Sequence, residues 1–316
     1  MLKICKSTCD TLSDLSISTL EKGAWLNLIN PTAEEISKVS SVTGVPLDFF
    51  KAALDEEERS RVEIEENCLL VITNIPVTRG SDNYDALPLG IVLTPDYFIT
   101  VCLEPNEVLS DFSVESCRLF STVKRTRLLF QILYKSALLY LRYLRHINRR
   151  TDEIERQLRL SMKNKEMFQL MDLQKGLTYY TATLRSNGIV LEKLLRLGSN
   201  AQLQHLIKIY EEDQDLLEDV IIENKQAIEM VEMYSGILSG MMDAFASIIS
   251  NNLNRVMKFL ATMTILLAIP TMVSSFFGMN VDVPFRDADG GFAIVTVVCL
   301  TITGISAYML WRRDMF

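Results

Sequence analysis

The sequence has little of what most enzyme active sites require. Its only two histidines, His146 and His205, lie far apart in predicted helices, so a zinc cage built on histidine is not predicted. The 13 glycines form no glycine-rich phosphate loop, and neither a nucleophile elbow nor an ordered Ser/His/Asp set is present. We therefore do not expect an enzyme.

Positive charge is also in deficit. The chain has 32 lysines and arginines against 40 aspartates and glutamates, which gives a formal net charge of −8. A nucleic-acid-binding protein needs a basic patch. Nucleic acid is therefore excluded as an expected partner.

Charge is missing altogether from two long runs near the C-terminal end. Residues 259–277 are 19 uncharged positions, and residues 291–311 are 21 more. At 1.5 Å per residue each run covers about 30 Å, the thickness of the bilayer hydrocarbon. A pair of buried core helices is the alternative, but two such runs are typical of membrane spans. We expect an all-α membrane hairpin in contact with the lipid bilayer.

The charges around these runs predict an orientation. Arg255 and Lys258 precede the first run, and Arg312 and Arg313 follow the second. The connecting loop carries three acids against Arg286 alone, namely Asp282, Asp287 and Asp289. The positive-inside rule then places both termini in the cytoplasm of a multi-pass protein of the cell (inner) membrane, with the acidic loop outside.

The first part of the chain mixes strand and helix signals. β-branched and aromatic residues predict five strands, at 24–29, 61–66, 68–76, 89–94 and 97–103. Thr32 and Glu35 have the spacing of a capping box, so a helix is predicted there, and Pro46 opens a second one. Residues 79–88 have the composition of a turn or loop. We expect a cytosolic α+β domain over residues 1–110.

Long helices follow this domain. Apolar residues at three- and four-residue spacing predict a helical hairpin over 111–200. From Ala201 to Phe277 the only proline is Pro270, which predicts one helix of about 115 Å at 1.5 Å per residue. The predicted divisions are a stalk helix at 201–255, a first span at 256–278, an outer loop at 279–290, a second span at 291–311 and a basic tail at 312–316.

One face of the long helix repeats every seven residues. The residues on it are almost all small or polar: Asp243, Ser247, Ser250, Asn254, Met257, Ala261, Thr264, Ala268, Thr271, Ser275 and Gly278. We call this set the seam. A 3.5-residue period keeps a face on a common axis. The seam is either a small-xxx-small packing face or the wall of a water-filled axis shared by several subunits, and small residues serve both purposes.

The tripeptide Gly278-Met279-Asn280 follows directly after the first span. In this context it resembles the CorA family of magnesium channels, whose signature is GMN at that position. Residues 234–260 are similar to the family's stalk sequence, and residues 53–67 to a recurrent stretch of its cytosolic domain. The resemblance implies a funnel-shaped homopentamer whose first span lines the pore.

Carried over by position, the resemblance assigns parts of the ion path. Gly278, Met279 and Asn280 would form the selectivity filter. With the seam, it places these residues along the conduction path: Asn254, Met257, Leu260, Thr264, Ala268, Thr271 and Ser275. Leu260 would be a hydrophobic constriction. Mg²⁺ keeps its water shell and prefers oxygen ligands, which suits a ring of Asn280 amides. Asp282, Asp287 and Asp289 would concentrate cations, with ordinary loop solvation as the alternative.

The stalk also carries a strongly acidic run. Between Ile209 and Glu232 there are nine acids and one base, Lys225. Such a run is usually a solvated helix face, but several copies around one axis would repel one another unless cations bridged them. The resemblance implies that Asp219 and Asp243 bind regulatory Mg²⁺. Their partner carboxylate stays open among Asp82, Asp85 and Asp96.

The expected function is therefore passive Mg²⁺ transport that intracellular Mg²⁺ shuts off. Mg²⁺ is both the transported and the regulatory ion, and Co²⁺ or Ni²⁺ are further candidates for transport. One alternative is a transporter of another divalent cation, Co²⁺, Ni²⁺ or Zn²⁺. The scarcity of histidine near the seam disfavours zinc. The other alternative is a two-span membrane sensor or scaffold, which predicts an apolar seam and no ion flux.

Overall fold

The chain forms two compact units, Met1–Gly240 and Met241–Phe316. A computed structural model describes residues 1–8, 11–65, 67–80, 82–113, 118–161, 164–198, 200–284 and 290–313. The first unit holds the sheet and most of the helices, and the second holds the two uncharged runs. The predicted α+β class with long helices, followed by an all-α pair, is confirmed.

A seven-stranded mixed sheet forms the centre of the first unit. Its strands are β1 (Leu2–Thr8), β2 (Thr11–Leu15), β3 (Trp25–Ile29), β4 (Arg61–Glu65), β5 (Cys68–Thr78), β6 (Tyr84–Leu93) and β7 (Phe98–Cys102). They lie in the order β2-β1-β3-β7-β6-β5-β4. Every neighbouring pair is antiparallel except β3 and β7, which run parallel with Trp25 opposite Phe98. All five predicted strands are present.

Two details of the strand prediction were wrong. The hairpin of β1 and β2 precedes the first predicted strand, and its short, polar strands carry little β signal. Residues 84–88 belong to β6 and not to a loop, because Tyr84 pairs with Thr78 and the ladder continues to Asn74 opposite Pro88. Tyr84 is buried against Tyr143 and Tyr180, and this packing outweighs the turn-like composition.

Two short helices cover one face of the sheet, α1 (Ala33–Thr43) and α2 (Leu47–Ala52). The predicted capping box is present, since Thr32 Oγ1 accepts from the Glu35 N–H at 3.2 Å and Glu35 Oε2 accepts from the Thr32 N–H at 2.9 Å. Pro46 is the N-cap of α2, as expected. Beneath these helices, apolar side chains from alternate strand positions, such as Leu26 and Leu28, form a core with Phe50 of α2.

The opposite face packs against a pair of long helices, α4 (Arg125–Ser161) and α5 (Asn164–Gly198); the short helix α3 (Glu107–Ser110) precedes them. A buried polar network joins α5 to the sheet. Asn187 Oδ1 accepts from Ser60 Oγ at 2.7 Å and from the Asn74 N–H at 3.0 Å, and Asn187 Nδ2 donates to the Asn74 carbonyl at 2.8 Å. Because each of these buried groups has a partner, the network fixes the register of α5 on the sheet.

The long helix α6 (Glu211–Phe277) begins later than predicted. The expected helix from Ala201 is wrong over its first ten positions, where a 3₁₀ turn at Ala201–Leu203 leads into non-helical residues. Leu206 and Ile207 are buried there, and Thr126 Oγ1 accepts from the Lys208 N–H. Burial of two apolar side chains, and not a proline or glycine, therefore breaks the helix.

The second unit contains the end of α6 and a further helix, α7 (Gly291–Arg312). Both helices have stretches long and apolar enough to cross a membrane, and almost none of those residues is buried within the chain. Pro270 lies inside α6 without ending it. Proline has no N–H, so the carbonyl of Leu266 loses its usual helical donor at this turn.

Gly90 in β6 lies directly against the C-terminal end of helix α2. A Cβ at this position would lie 2.4 Å from the Cβ of Ala53, the C-cap of α2. We expect Gly90→Ala to destabilise the first unit by about 1–3 kcal/mol, because the core cannot take an extra methyl group without a shift of α2. Thermal unfolding of the full-length protein in detergent measures this.

The double variant Ala53→Gly/Gly90→Ala supplies the control. It removes the opposing methyl group and so relieves the clash. The double variant should therefore be more stable than the sum of the two single changes predicts. Strict additivity of the two single variants would contradict the assigned contact.

Candidate ion pathway and regulatory carboxylates

The seam lies along α6, and the rest of its own unit does not cover it. All eleven positions are exposed, from Asp243 to Gly278. Thr262, which lies between two seam positions on another face of the helix, is fully buried at 0% exposure. Apolar residues of α6 such as Leu253 and Leu267 are exposed as well. The exposed positions outside the seam are mixed, since Asn251, Arg255 and Lys258 are exposed too, so the seam is distinguished by its seven-residue repeat of mostly small or polar side chains.

Two threonines show how the seam presents oxygen. Thr264 Oγ1 donates to the Leu260 carbonyl at 2.8 Å, and Thr271 Oγ1 donates to the Leu267 carbonyl at 2.9 Å. This back-bonding is the usual way in which threonine satisfies its proton in an apolar helix. Because the hydrogen of each hydroxyl is already in use, the oxygen faces outward as an acceptor.

A shallow groove follows the same face. Its lining residues are Thr264, Leu267, Ala268, Thr271, Met272, Ser275, Phe276 and Met279. Four of them are predicted pore-lining residues, and one belongs to the GMN tripeptide. The groove is thus lined by small seam residues together with larger apolar side chains.

Below this groove the predicted path is apolar. Met257 and Leu260 are both exposed, and Asn254 is exposed one turn earlier. Leu260 comes from the resemblance, whereas the seven-residue repeat alone selects Ala261. The side chains of Leu260 and Ala261 are both exposed. Leu260 is the larger, so a ring of Leu260 side chains from several copies would be narrow and water-repelling.

The GMN tripeptide ends the first span. Helix α6 stops at Phe277, and the Gly278 N–H still donates to the carbonyls of Ser274 and Ser275 at 3.0 and 3.2 Å. Gly278, Met279 and Asn280 are all exposed. The Asn280 amide makes no hydrogen bond to any residue in the described part of the chain. Its oxygen is free to contact water or a hydrated ion.

Only one predicted acid of the outer loop can be placed. Asp282, two positions after Asn280, is exposed. Asp287 and Asp289 lie outside the described residues, and their proposed role as cation collectors stays a prediction.

Basic partners compensate only part of the acidic run on α6. Arg127 Nη1 lies 3.3 Å from Glu212 and 3.2 Å from Asp213, and Arg185 Nη2 lies 2.6 Å from Glu232. The other acids of the run form no ion pair within the described residues: Glu211, Asp215, Glu218, Asp219, Glu223 and Glu229. A surplus of negative charge therefore remains on this helix.

The two predicted regulatory aspartates are both exposed, Asp219 in the first unit and Asp243 in the second. Among the described residues of one chain, no three acidic, histidine or cysteine side chains come together as a metal site. Of the three candidate partners, Asp82 bonds Arg150, Asp96 pairs with Lys22 and Asp85 lies 3.9 Å from Arg79. A metal site at Asp219 would therefore need ligands from a second copy.

The sequence did not reveal the contact that fixes the start of α6. Asp213 is buried, Arg127 pairs with it, and its Oδ2 accepts from the Tyr210 N–H at 3.4 Å. Acids in the first turn are a known signal of a helix start, and Glu211, Glu212 and Asp213 provide it. The cationic partner, 86 residues away in the sequence, carries no local signal.

Taken together, an α+β domain, a pair of bilayer-length apolar helices and an unpaired polar seam on the first of them define a class. The protein belongs with two-span membrane proteins, in which polar residues inside a span face a water-filled path or another protein surface.

Comparison with known proteins identifies the family. Residues 21–313 match the CorA-like Mg²⁺ transporter protein family, so the chain belongs to that family. A cobalt/magnesium transport protein, CorA, from Methanocaldococcus jannaschii is 26% identical over 298 residues, which are 91% of this chain and 90% of that protein.

Solved structures agree with this assignment. The complete structure of the CorA magnesium transporter from Methanocaldococcus jannaschii matches with a TM-score of 0.85 at 25% identity, covering 99% of this chain and 98% of that one. The full-length CmaX protein has the same fold, with a TM-score of 0.73 at 18% identity over 99% and 96% of the two chains. The chain is therefore a membrane protein, and the matched CorA relatives are transporters.

Proposed function

We propose that the protein is a homopentameric channel that carries hydrated Mg²⁺ across the cell membrane down its electrochemical gradient. The observation that carries the proposal is the seam, a polar face on a bilayer-length helix that the rest of its own unit does not cover. Membership of the CorA-like family and the names of its matched relatives support cation transport.

One helix face cannot enclose a path, so the pore requires several copies of the chain. A strict seven-residue repeat keeps the seam directed at a common axis in such an assembly. The family resemblance implies five copies. In that arrangement Asn254, Thr264, Ala268, Thr271 and Ser275 contribute rings of small or polar side chains.

The chemistry of the rings suits a hydrated magnesium ion. Mg²⁺ loses water reluctantly, so a suitable path bonds its water shell and does not replace it. The outward oxygens of Thr264 and Thr271 accept from water because their own protons bond backbone carbonyls. Gly278, Met279 and Asn280 form the filter, where Asn280 amides hold the ion more weakly than carboxylates would and so allow release.

The driving force is the membrane potential, and the gate is apolar. Two charges that cross 100 mV gain about 4.6 kcal/mol. Both termini lie in the cytoplasm in this proposal, and Asp282, Asp287 and Asp289 attract cations on the outer side. Rings of Met257 and Leu260 form the constriction, which conducts only when it is hydrated.

Cytosolic Mg²⁺ closes the channel through the acids of α6. With Mg²⁺ bound at Asp219 and Asp243, neighbouring helices are held together. Without it, the uncompensated carboxylates on adjacent α6 helices repel one another, the helices separate, and the constriction hydrates.

The role of the seam hydroxyls can be tested with two valine substitutions. We expect Thr271→Val to lower Mg²⁺ flux into liposomes by about fivefold or more, because loss of an acceptor to the hydrated ion costs about 1 kcal/mol. Thr296→Val is the matched control. Thr296 also bonds a helix carbonyl, that of Phe292 at 2.7 Å, but it lies on α7 outside the seam. Equal effects of both substitutions would contradict the assignment.

The same assay separates the transported ions. Uptake of Mg²⁺, Co²⁺, Ni²⁺ and Zn²⁺ is compared for the parent protein and for Asn280→Ala, which we expect to lose Mg²⁺ preference because the filter amide is gone. Faster uptake of Co²⁺, Ni²⁺ or Zn²⁺ than of Mg²⁺ by the parent protein would favour the transporter of another divalent cation. Absence of any flux would favour a sensor or scaffold.

The regulatory site predicts a defect in closure. We expect Asp219→Asn to keep the channel conducting at internal Mg²⁺ concentrations that close the parent, because the bridging carboxylate is lost. Glu229→Gln is the matched control, since Glu229 is an exposed acid of the same helix with no ion pair in the described chain. Patch recording at stepped internal Mg²⁺ measures both. Unchanged inhibition in Asp219→Asn would refute the site.

A further inference from the structure

A second cleft lies in the first unit, between the start of α4 and the segment that leads into α6. Its volume is about 770 Å³, within the range of small-molecule sites. The lining residues come from two short stretches of chain, 123–127 and 204–213. None of them belongs to the proposed pore or to the proposed regulatory site.

The two helix starts in this cleft differ in charge. The first turn of α6 has three acids, which compensate the positive end of the α6 helix dipole. Arg127 pairs with two of them, Glu212 and Asp213. The first turn of α4 has no acid. The Lys124 carbonyl accepts from the Leu128 N–H, which makes Lys124 the N-cap, and a lysine side chain cannot accept from the free N–H groups that follow.

Arg125 gives the cleft an unmet requirement for an anion. Its Nη1 atom is buried and has no hydrogen-bond partner. Burial lowers the pKa of the Arg125 guanidinium, and the charge of Asp96 only partly opposes this effect. Asp96 itself pairs with Lys22 at 3.0 Å. A buried guanidinium donor without an acceptor is costly, and a bound anion would satisfy it.

The other side of the cleft is suited to a flat ring. Tyr210 is exposed, and Lys208 Nζ lies 4.9 Å from the centre of its ring. Val123 is also exposed at this cleft. Aromatic faces of this kind stack on nucleobases, and a neighbouring cation adds to the attraction.

We propose that this cleft binds a nucleotide, with its phosphates at Lys124, Arg125 and the α4 N-terminus and its base against Tyr210. The presence of an exposed aromatic ring in the same cleft as the basic residues favours a nucleotide over inorganic phosphate. The proposal goes beyond cation transport and is tested by binding alone, so its outcome does not depend on whether the channel conducts.

The test measures binding of a fluorescent ATP analogue to the full-length protein in detergent at fixed free Mg²⁺, with ATP, pyrophosphate and adenosine as competitors. We expect saturable binding that ATP displaces and that pyrophosphate and adenosine displace at least tenfold less well. Arg125→Leu should weaken binding about tenfold or more, since it removes a charged hydrogen-bond donor. Its melting temperature should change little, because the buried Nη1 donor has no hydrogen-bond partner in the chain and the loss of attraction to Asp96 is offset by the lower cost of burying leucine.

Two further variants complete the design. Lys124→Gln should weaken binding, and Lys38→Gln, an exposed lysine of α1 outside the cleft, should not. Absence of saturable binding would overturn the proposal, and so would parent-like affinity in both Arg125→Leu and Lys124→Gln. Displacement by pyrophosphate as strong as that by ATP would overturn the assignment of a nucleotide.

Discussion

A polar group inside a bilayer has to find a partner, and this constraint organises the second unit. Hydrocarbon offers no hydrogen bonds, so seam residues that face lipid would be costly. Threonines 264 and 271 satisfy their protons on their own helix, yet their oxygens and the Asn280 amide remain unpaired in one chain. Within the described part of the chain these acceptors have no protein partner, and water, an ion or another protein surface can pair with them.

In the first unit the groups at issue are charged: they are carboxylates on α6 that form no ion pair within the described residues. Acids on α6 exceed the cations that reach them, because Arg127 and Arg185 lie on α4 and α5 and pair with only three acids. Water tolerates this excess for one helix, but repulsion rises when several such helices approach. In the proposed assembly, a divalent cation bound between the helices would reduce this repulsion, and this is the physical basis of the proposed regulatory role of the carboxylates.

The sequence predicted elements where one local signal decides the structure. The capping box of Thr32 and Glu35, the start of α2 at Pro46 and the two apolar helices all follow from short patterns or uncharged length. The start of α6 and the first residues of β6 were wrong because distant side chains decide them: buried Leu206 and Ile207, and Tyr84 packed on Tyr143. The seam was visible because its period is local. The cleft around Arg125 was not, because its two walls are about 80 residues apart in the chain.

The parallel pairing of β3 with β7 sets an order of events during synthesis. β3 is made early, but one of its two edges has no partner until Phe98–Cys102 has left the ribosome. The hairpin of β1 and β2 can pair with β3 only on its other edge, so the half-sheet from residue 2 to residue 29 waits with one side open. All seven strands precede α4 and both apolar helices in the chain, so the sheet can close while the apolar segments are still untranslated.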